Sequence, residues 1–201
     1  MMRIFMTAPL AKLSPAYFGL VMATGIVSIA AHQLALGWIA QALFALNIAF
    51  YVALWALNGA RFLRHRAAFV ADVFDHARGP GFFTWVAATA VLGAQCAILG
   101  AGFQAAWLLW GLALALWALF TYAIFAAFTV KGEKPPLDSG INGAWLLAVV
   151  ATQSIAVLSS LLALNEIAPY KRALNFLALS MWLWGGMLYV WLMALIFYRY
   201  T

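Results

Sequence analysis

Four stretches of the chain contain no Lys, Arg, Asp or Glu, and their lengths limit the possible fold more than any other feature. They cover residues 13–60, 79–130, 139–165 and 173–198, which is 48, 52, 27 and 26 residues. A helix that crosses a membrane needs about 20 consecutive apolar residues. The two long stretches therefore predict two spanning helices each, and the two shorter stretches predict one each.

The predicted fold is an all-α integral membrane protein with six transmembrane helices. Composition agrees, because 68% of the residues are hydrophobic and only 8% are charged, whereas soluble domains carry about 25% charged residues. The predicted spans are roughly 15–35, 38–60, 82–101, 104–130, 141–163 and 173–198. We expect one transmembrane domain over residues 1–201, built from three helical hairpin repeats at about 15–60, 82–130 and 141–198.

The dipeptide Ala-Thr recurs at nearly equal spacing in the first, third and fifth spans. Thr24, Thr89 and Thr152 are separated by steps of 65 and 63 residues. A period of this length indicates a repeated supersecondary unit. The same spans are rich in small and hydroxylic residues, whereas the other three carry bulky aromatic residues, so each hairpin is expected to pair one inner helix with one outer helix.

The small, hydroxylic and amide residues of the inner spans are candidates for lining a polar path through the membrane. Thr24 and Ser28 are four residues apart, so they share one face of a helix. The candidates are Thr24, Gly25, Ser28, Thr89, Gly93, Thr152, Gln153 and Ser160. The alternative is that these hydroxyl groups bond to carbonyls of their own helix or to a neighbouring helix.

The predicted spans contain no charged residue, and this favours a passive path over a proton-driven pump. Charged groups inside a membrane usually mark ion coupling or a proton relay, whereas weak dipoles let an ion enter and leave again. No catalytic or phosphate-binding motif occurs, and the single cysteine, Cys96, excludes a disulfide framework. We therefore expect no enzyme activity, no metal site and no cofactor.

Basic residues collect on one side of the six-span arrangement. Nine Lys and Arg residues, among them Arg61, Arg64 and Arg78, fall on the side of both termini, and only Lys171 and Arg172 fall on the other. Such a bias marks the cytoplasmic side, so both termini are expected in the cytoplasm, with the chain in a bacterial inner (plasma) membrane. Arg61, Arg64 and Arg78 are candidates for attracting anions there. Topology thus accounts for the net charge of +6 without a nucleic-acid partner.

Each inner span is preceded by residues that favour the start of a helix. Ser14-Pro15 places a capping hydroxyl before a proline, and Gly79-Pro80-Gly81 precedes the third span. Asp138 or Ser139 is the expected cap of the fifth span.

Three segments of the chain resemble a known family. The first is Pro15–Gly25, the second is Asp75–Thr84, and the third consists of Asn142–Leu147 and Val150–Ser154. They resemble the opening, the entry to the third helix, and the fifth helix of the tellurite-resistance/C4-dicarboxylate transporter family. That family is related to plant slow anion channels, fungal malate permeases and sulfite exporters. The resemblance covers nearly all 201 residues in order.

The resemblance implies ten helices in five hairpins, with the odd-numbered helices around a central pore and often three copies in a homotrimer. The three hairpins predicted here would then be three of the five, so the chain is expected to be a truncated member of the family. The gating phenylalanine of the family's ninth helix is not in this chain.

The expected function is a channel or transporter that moves small anions or C4-dicarboxylates, including tellurite or sulfite, by facilitated diffusion. Its expected partners are the small anion substrate and the lipid bilayer. The alternative is a non-transporting membrane scaffold or a degenerate fragment of such a transporter.

Overall fold

In the computed structural model, six helices are long and apolar enough to cross a membrane. The structure describes residues 10–100, 102–133, 136 and 140–199. No strand occurs among these residues. The long helices are α1 (Pro15–Gln33), α2 (Gly37–Arg64), α4 (Gly79–Leu99), α5 (Phe103–Val130), α6 (Gly143–Ala163) and α7 (Tyr170–Tyr198). A short helix, α3 (Arg66–Val73), lies between α2 and α4.

The prediction of an all-α membrane protein with six spans is confirmed. The largest difference lies at the end of α2, which continues from residue 60 to Arg64. Arginine is a good helix former, so Arg61 and Arg64 do not end the helix, although they end the uncharged stretch. The short helix α3 was not predicted and falls inside the longest expected loop.

The three inner helices, α1, α4 and α6, all begin with a 3₁₀ turn. The predicted cap at Ser14 is confirmed, because its Oγ accepts a 3.3 Å hydrogen bond from the amide of Ala16. At the start of α6 the capping side chain is Asn142, whose Oδ1 accepts a 2.9 Å bond from the amide of Ala144. Asp138 and Ser139, the expected caps, lie outside the described residues.

The helix α4 occupies the centre of the bundle. Its most apolar stretch is 83% buried, against 17% for the outermost helix, α7. It packs against α1, α2, α5 and α6, so the inner helices lie in a row with α4 between α1 and α6. The outer helices α2, α5 and α7 present large apolar side chains outward, as lipid contact requires.

A glycine allows this close packing around α4. A methyl group at Gly93 would lie 2.7 Å from Cδ2 of Leu158 in α6 and 3.3 Å from Cβ of Leu109 in α5. Without a hydrophobic driving force between helices in lipid, such close backbone approach is a main source of association. Gly93 therefore fixes the distance at which the second and third hairpins meet.

Candidate functional site

Two of the three repeated threonines bond to aromatic side chains of outer helices. Thr89 Oγ1 donates to the Trp85 carbonyl at 2.7 Å and lies 3.0 Å from the hydroxyl of Tyr51 in α2. Thr152 Oγ1 donates to the Ala148 carbonyl at 2.8 Å. It also accepts a 2.9 Å bond from the indole nitrogen of Trp117 in α5. In each case the outer helix of one hairpin bonds to the inner helix of the next.

Each of these interfaces has a second polar contact between the same two helices. The Asn47 amide of α2 donates to Oε1 of Gln95 in α4. The Trp110 indole of α5 donates to Oγ of Ser159 in α6 at 2.8 Å. Because interhelical hydrogen bonds are directional, each pair of contacts fixes the depth and rotation at which neighbouring hairpins pack.

Thr24 differs from the other two repeated threonines. Its side chain is only partly buried. Among the described residues, its hydroxyl makes no hydrogen bond. No described helix packs on the side of α1 that faces away from α2 and α4. The first copy of the repeat is therefore unpaired where the second and third copies are paired.

Gly25 and Ser28 lie inside helix contacts of the first hairpin. Ser28 Oγ donates a 2.8 Å bond to the carbonyl of Ala40, which ties α1 to α2. A methyl group at Gly25 would lie 2.5 Å from Cγ1 of Val91. It would also lie 3.0 Å from Nδ2 of Asn47 and 3.1 Å from Oε1 of Gln95. Both candidates are buried between α1, α2 and α4.

Gln153 and Ser160 line a groove of about 260 Å³ between α6 and α7. The Gln153 amide donates to the carbonyl of Trp182 at 3.1 Å, and Ser160 Oγ donates to the carbonyl of Val157 at 2.8 Å. The full set of lining residues is Gln153, Ala156, Val157, Ser160, Ala178, Leu179 and Trp182. No described residue outside α6 and α7 lines this groove.

The eight candidate residues are thus not gathered at one cavity. Five of them, Gly25, Ser28, Thr89, Gly93 and Thr152, are buried in helix contacts. The partly exposed ones are Thr24 on α1 and Gln153 and Ser160 on α6. The sequence placed hydroxyl groups on inner helices, but it did not indicate which neighbour each group faces.

The three candidate arginines have different surroundings. Arg61 is only 1% exposed, and its guanidinium lies 2.7 Å from the carboxylate of Asp72. Nε of Arg78 lies 2.7 Å from the other oxygen of the same carboxylate. Arg64 is exposed. One carboxylate therefore offsets much of the charge of Arg61 and Arg78, and Arg64 keeps its charge in solvent.

The Arg61–Asp72–Arg78 cluster also joins segments that are distant in the chain. Arg61 donates to the carbonyl of Ala11 at 3.0 and 3.2 Å, and Arg78 donates to the carbonyl of Leu13 at 3.1 Å. These bonds tie the end of α2 and the residue just before α4 to the residues that precede α1. Sequence reasoning missed Asp72, because its position eleven residues after Arg61 predicts no contact.

Sequence reasoning also missed Tyr51 and Trp117 as partners of the threonines. The sequence does contain a signal of these partners, because Tyr51 and Trp117 are 66 residues apart. This spacing is close to the 65- and 63-residue steps between the threonines. Two periodic sets on alternating helices indicate a repeated contact.

The comparisons with known proteins agree with this architecture. The model of the SLAC1 family, described as voltage-dependent anion channels, matches residues 12–201. Neither a curated protein nor a solved structure matches the chain. Because the family match spans nearly the whole chain, the chain belongs to the voltage-dependent anion channel family and is an integral membrane anion channel or transporter.

Proposed function

We propose that the chain provides a passive path for small anions along the row of inner helices α1, α4 and α6. C4-dicarboxylates, tellurite and sulfite are the specific substrates that the sequence resemblance adds to this proposal. The observation that carries it is the family match over residues 12–201. It is supported by the adjacency of the inner helices and by the absence of charged residues from the predicted spans.

Neutral walls suit passive conduction of anions. Hydroxyl and amide dipoles can replace part of the water around an ion without holding it in place. Thr24, Gln153 and Ser160 are the lining candidates in this proposal because their side chains are partly exposed. In this proposal the five buried candidates set the spacing of the helices. They are Gly25, Ser28, Thr89, Gly93 and Thr152.

The basic end of the bundle is the cytoplasmic entrance in this proposal, with both termini on that side of a bacterial plasma membrane. Arg64 is the candidate for raising the local anion concentration, since it is exposed and forms no ion pair among the described residues. Arg61 and Arg78 have a structural role beside Asp72. A homotrimer belongs to the same proposal, and native mass spectrometry of the detergent-solubilised chain measures it.

Anion flux into liposomes that contain only this chain tests the proposal. We expect uptake of one or more of chloride, nitrate, sulfite and malate above that of empty liposomes. We expect Thr24→Val together with Ser160→Ala to alter that uptake. The matched control is Ser180→Ala on α7, which removes only a bond to the carbonyl of Phe176 within its own helix. Uptake equal to that of empty liposomes by correctly inserted chain would overturn the proposal.

A non-transporting scaffold, or a degenerate fragment of a transporter, is the second candidate. The burial of five of the eight lining candidates favours it, above all Thr89, which is 0% exposed and bonded on both sides. This candidate predicts a folded, inserted chain that moves no anion and co-purifies with a stable partner. A selective conductance of the chain alone would remove it.

A further inference from the structure

The short helix α3 has the reverse of the pattern expected for a helix exposed to water. Its one acidic side chain, Asp72, is buried at 8% exposure and pairs with Arg61. Its exposed residues are apolar, with Val70 48% exposed and Phe74, directly after the helix, 44% exposed. A surface helix in water carries its charged side chains outward and its apolar side chains inward. The pattern of α3 is instead that of a helix whose outer side meets an apolar medium.

The position of α3 is between the ends of two outer helices. It begins just after α2, which ends at Arg64, and the carbonyl of Phe74 accepts a 3.2 Å bond from Lys131, which follows α5. On its inner side, Phe69 packs against Phe82 at the start of α4, with ring centroids 5.1 Å apart. Because α2 and α5 are spanning helices, their ends mark the depth at which the membrane meets water. The helix α3 therefore lies at that boundary, at the basic end of the bundle.

The apolar residues of α3 form one continuous side of the helix. Residues three and four apart share a helix face, and the exposed residues have this spacing. We call them the outer face of α3, and they are Ala67, Val70, Ala71 and Phe74. Just before α3, Phe62 and Leu63 of α2 are also exposed. The lipid-facing surface of α2 therefore reaches up to the outer face of α3.

Arg66 supplies a positive charge at the edge of this apolar surface. It is the first residue of α3, its side chain is exposed, and its guanidinium carbon lies 5.4 Å from the centre of the Phe62 ring. Arginine side chains place their alkyl part along apolar surface while the charged end reaches polar surroundings. At the boundary of a membrane those surroundings include lipid phosphates, which a guanidinium binds with two parallel hydrogen bonds.

We propose that α3 is a membrane-surface helix, which lays its outer face on the lipid and binds the phosphate of an anionic phospholipid through Arg66. An apolar side with a basic residue at its rim is typical of helices that lie in the membrane interface. On the inner side of α3, Asp72 holds Arg61 and Arg78, which bond to residues that precede α1. A lipid bound to α3 thus stabilises the contacts that fix the start of α1. The proposal does not depend on the proposed anion path.

Spin-label accessibility tests where the outer face lies. The label is attached at Val70→Cys in a Cys96→Ser chain, reconstituted in liposomes of phosphatidylcholine and phosphatidylglycerol. We expect it to collide more often with oxygen, which dissolves in lipid, than with a water-soluble nickel chelate. The matched control is Glu133→Cys, at an exposed charged residue beyond the end of α5, where we expect the reverse order.

Two results of this measurement would overturn the proposal. Nickel collisions as frequent at Val70 as at Glu133 would show that the outer face meets water. Rare collisions with both reagents at Val70 would show that protein covers it.

Titration of the detergent-solubilised chain with phosphatidylglycerol tests the role of Arg66, with the rise in melting temperature as the measure of binding. We expect Arg66→Gln to weaken binding about fivefold, the contribution of one basic residue at an anionic membrane surface. The matched control is Arg172→Gln, which removes an exposed arginine from the other end of the bundle. Equal weakening in the two variants, or an equal effect of inorganic phosphate, would overturn the proposal. Both measurements are independent of anion flux.

Discussion

The guanidinium of Arg61 lies 2.7 Å from the carboxylate of Asp72, and together they connect the end of α2 to the short helix α3. Arg61 also donates to the carbonyls of Ala11 and Ala68, so its charge is enclosed by oxygen atoms of three residues, one before α1 and two in α3. A buried guanidinium is tolerated only when such partners replace water.

Asp72→Asn is expected to destabilise the protein, since it leaves Arg61 buried without a counter-charge. Removing one partner of a buried pair costs about 3–5 kcal/mol, and we expect the lower end because Arg61 keeps its carbonyl acceptors. Thermal unfolding followed by intrinsic tryptophan fluorescence measures the change. The control is Asp75→Asn, because an asparagine can still accept from the amides of Ala77 and Arg78. Equal melting temperatures for the two variants would contradict the prediction.

Thr152→Val and Trp117→Phe remove the two sides of one interhelical hydrogen bond. Double-mutant cycles on such bonds in membranes give about 0.6 kcal/mol on average, and we expect a coupling energy of that size. Denaturant unfolding of the four proteins in detergent measures it. Ser154→Ala paired with Trp117→Phe is the control, because Ser154 bonds only to the carbonyl of Val150 in its own helix. The prediction fails if the two cycles give the same coupling.

Gly93→Ala is expected to destabilise the contact of α4 with α6 by about 1–3 kcal/mol, because the added methyl group overpacks against Leu158. Gly111→Ala is the matched control, since nothing lies within 4 Å of the added methyl group. That control is expected to be neutral or stabilising, as alanine favours a helix over glycine by about 1 kcal/mol. Shortening the contacting side chain with Leu158→Val should restore part of the loss. A melting temperature of Gly93→Ala equal to that of Gly111→Ala would rule out the tight contact.

Arg64→Glu is expected to lower anion flux at low salt and to have little effect at high salt. The physical reason is that an exposed charge acts on ions over the screening length, which is about 30 Å at 0.01 M and 8 Å at 0.15 M. Flux assays in liposomes at the two ionic strengths measure it. Lys171→Glu is the control, since it makes the same change of charge at an exposed residue on the opposite side of the bundle. A loss of flux that is independent of salt would instead indicate damage to the fold.

The sequence was sufficient to predict the six spans, because charge-free stretches of 48, 52, 27 and 26 residues leave few alternatives in a membrane. It was also sufficient for the Ser14 cap, whose bond to Ala16 is local. It did not predict α3, because an eight-residue helix depends on tertiary contacts, here the ion pairs of Asp72 and the packing of Phe69 against Phe82. The sequence also did not predict which helices Thr89 and Thr152 contact, since these contacts depend on where α2 and α5 pack.

The enclosure of α4 limits how the protein can change shape. A helix that contacts neighbours on every side cannot slide or tilt by itself without emptying several tightly filled contacts at once. The flanking hairpins are less constrained, because α1 and α7 each have one side free of described helices. Rotation of the first or third hairpin as a rigid body would therefore disturb fewer contacts than a movement of α4.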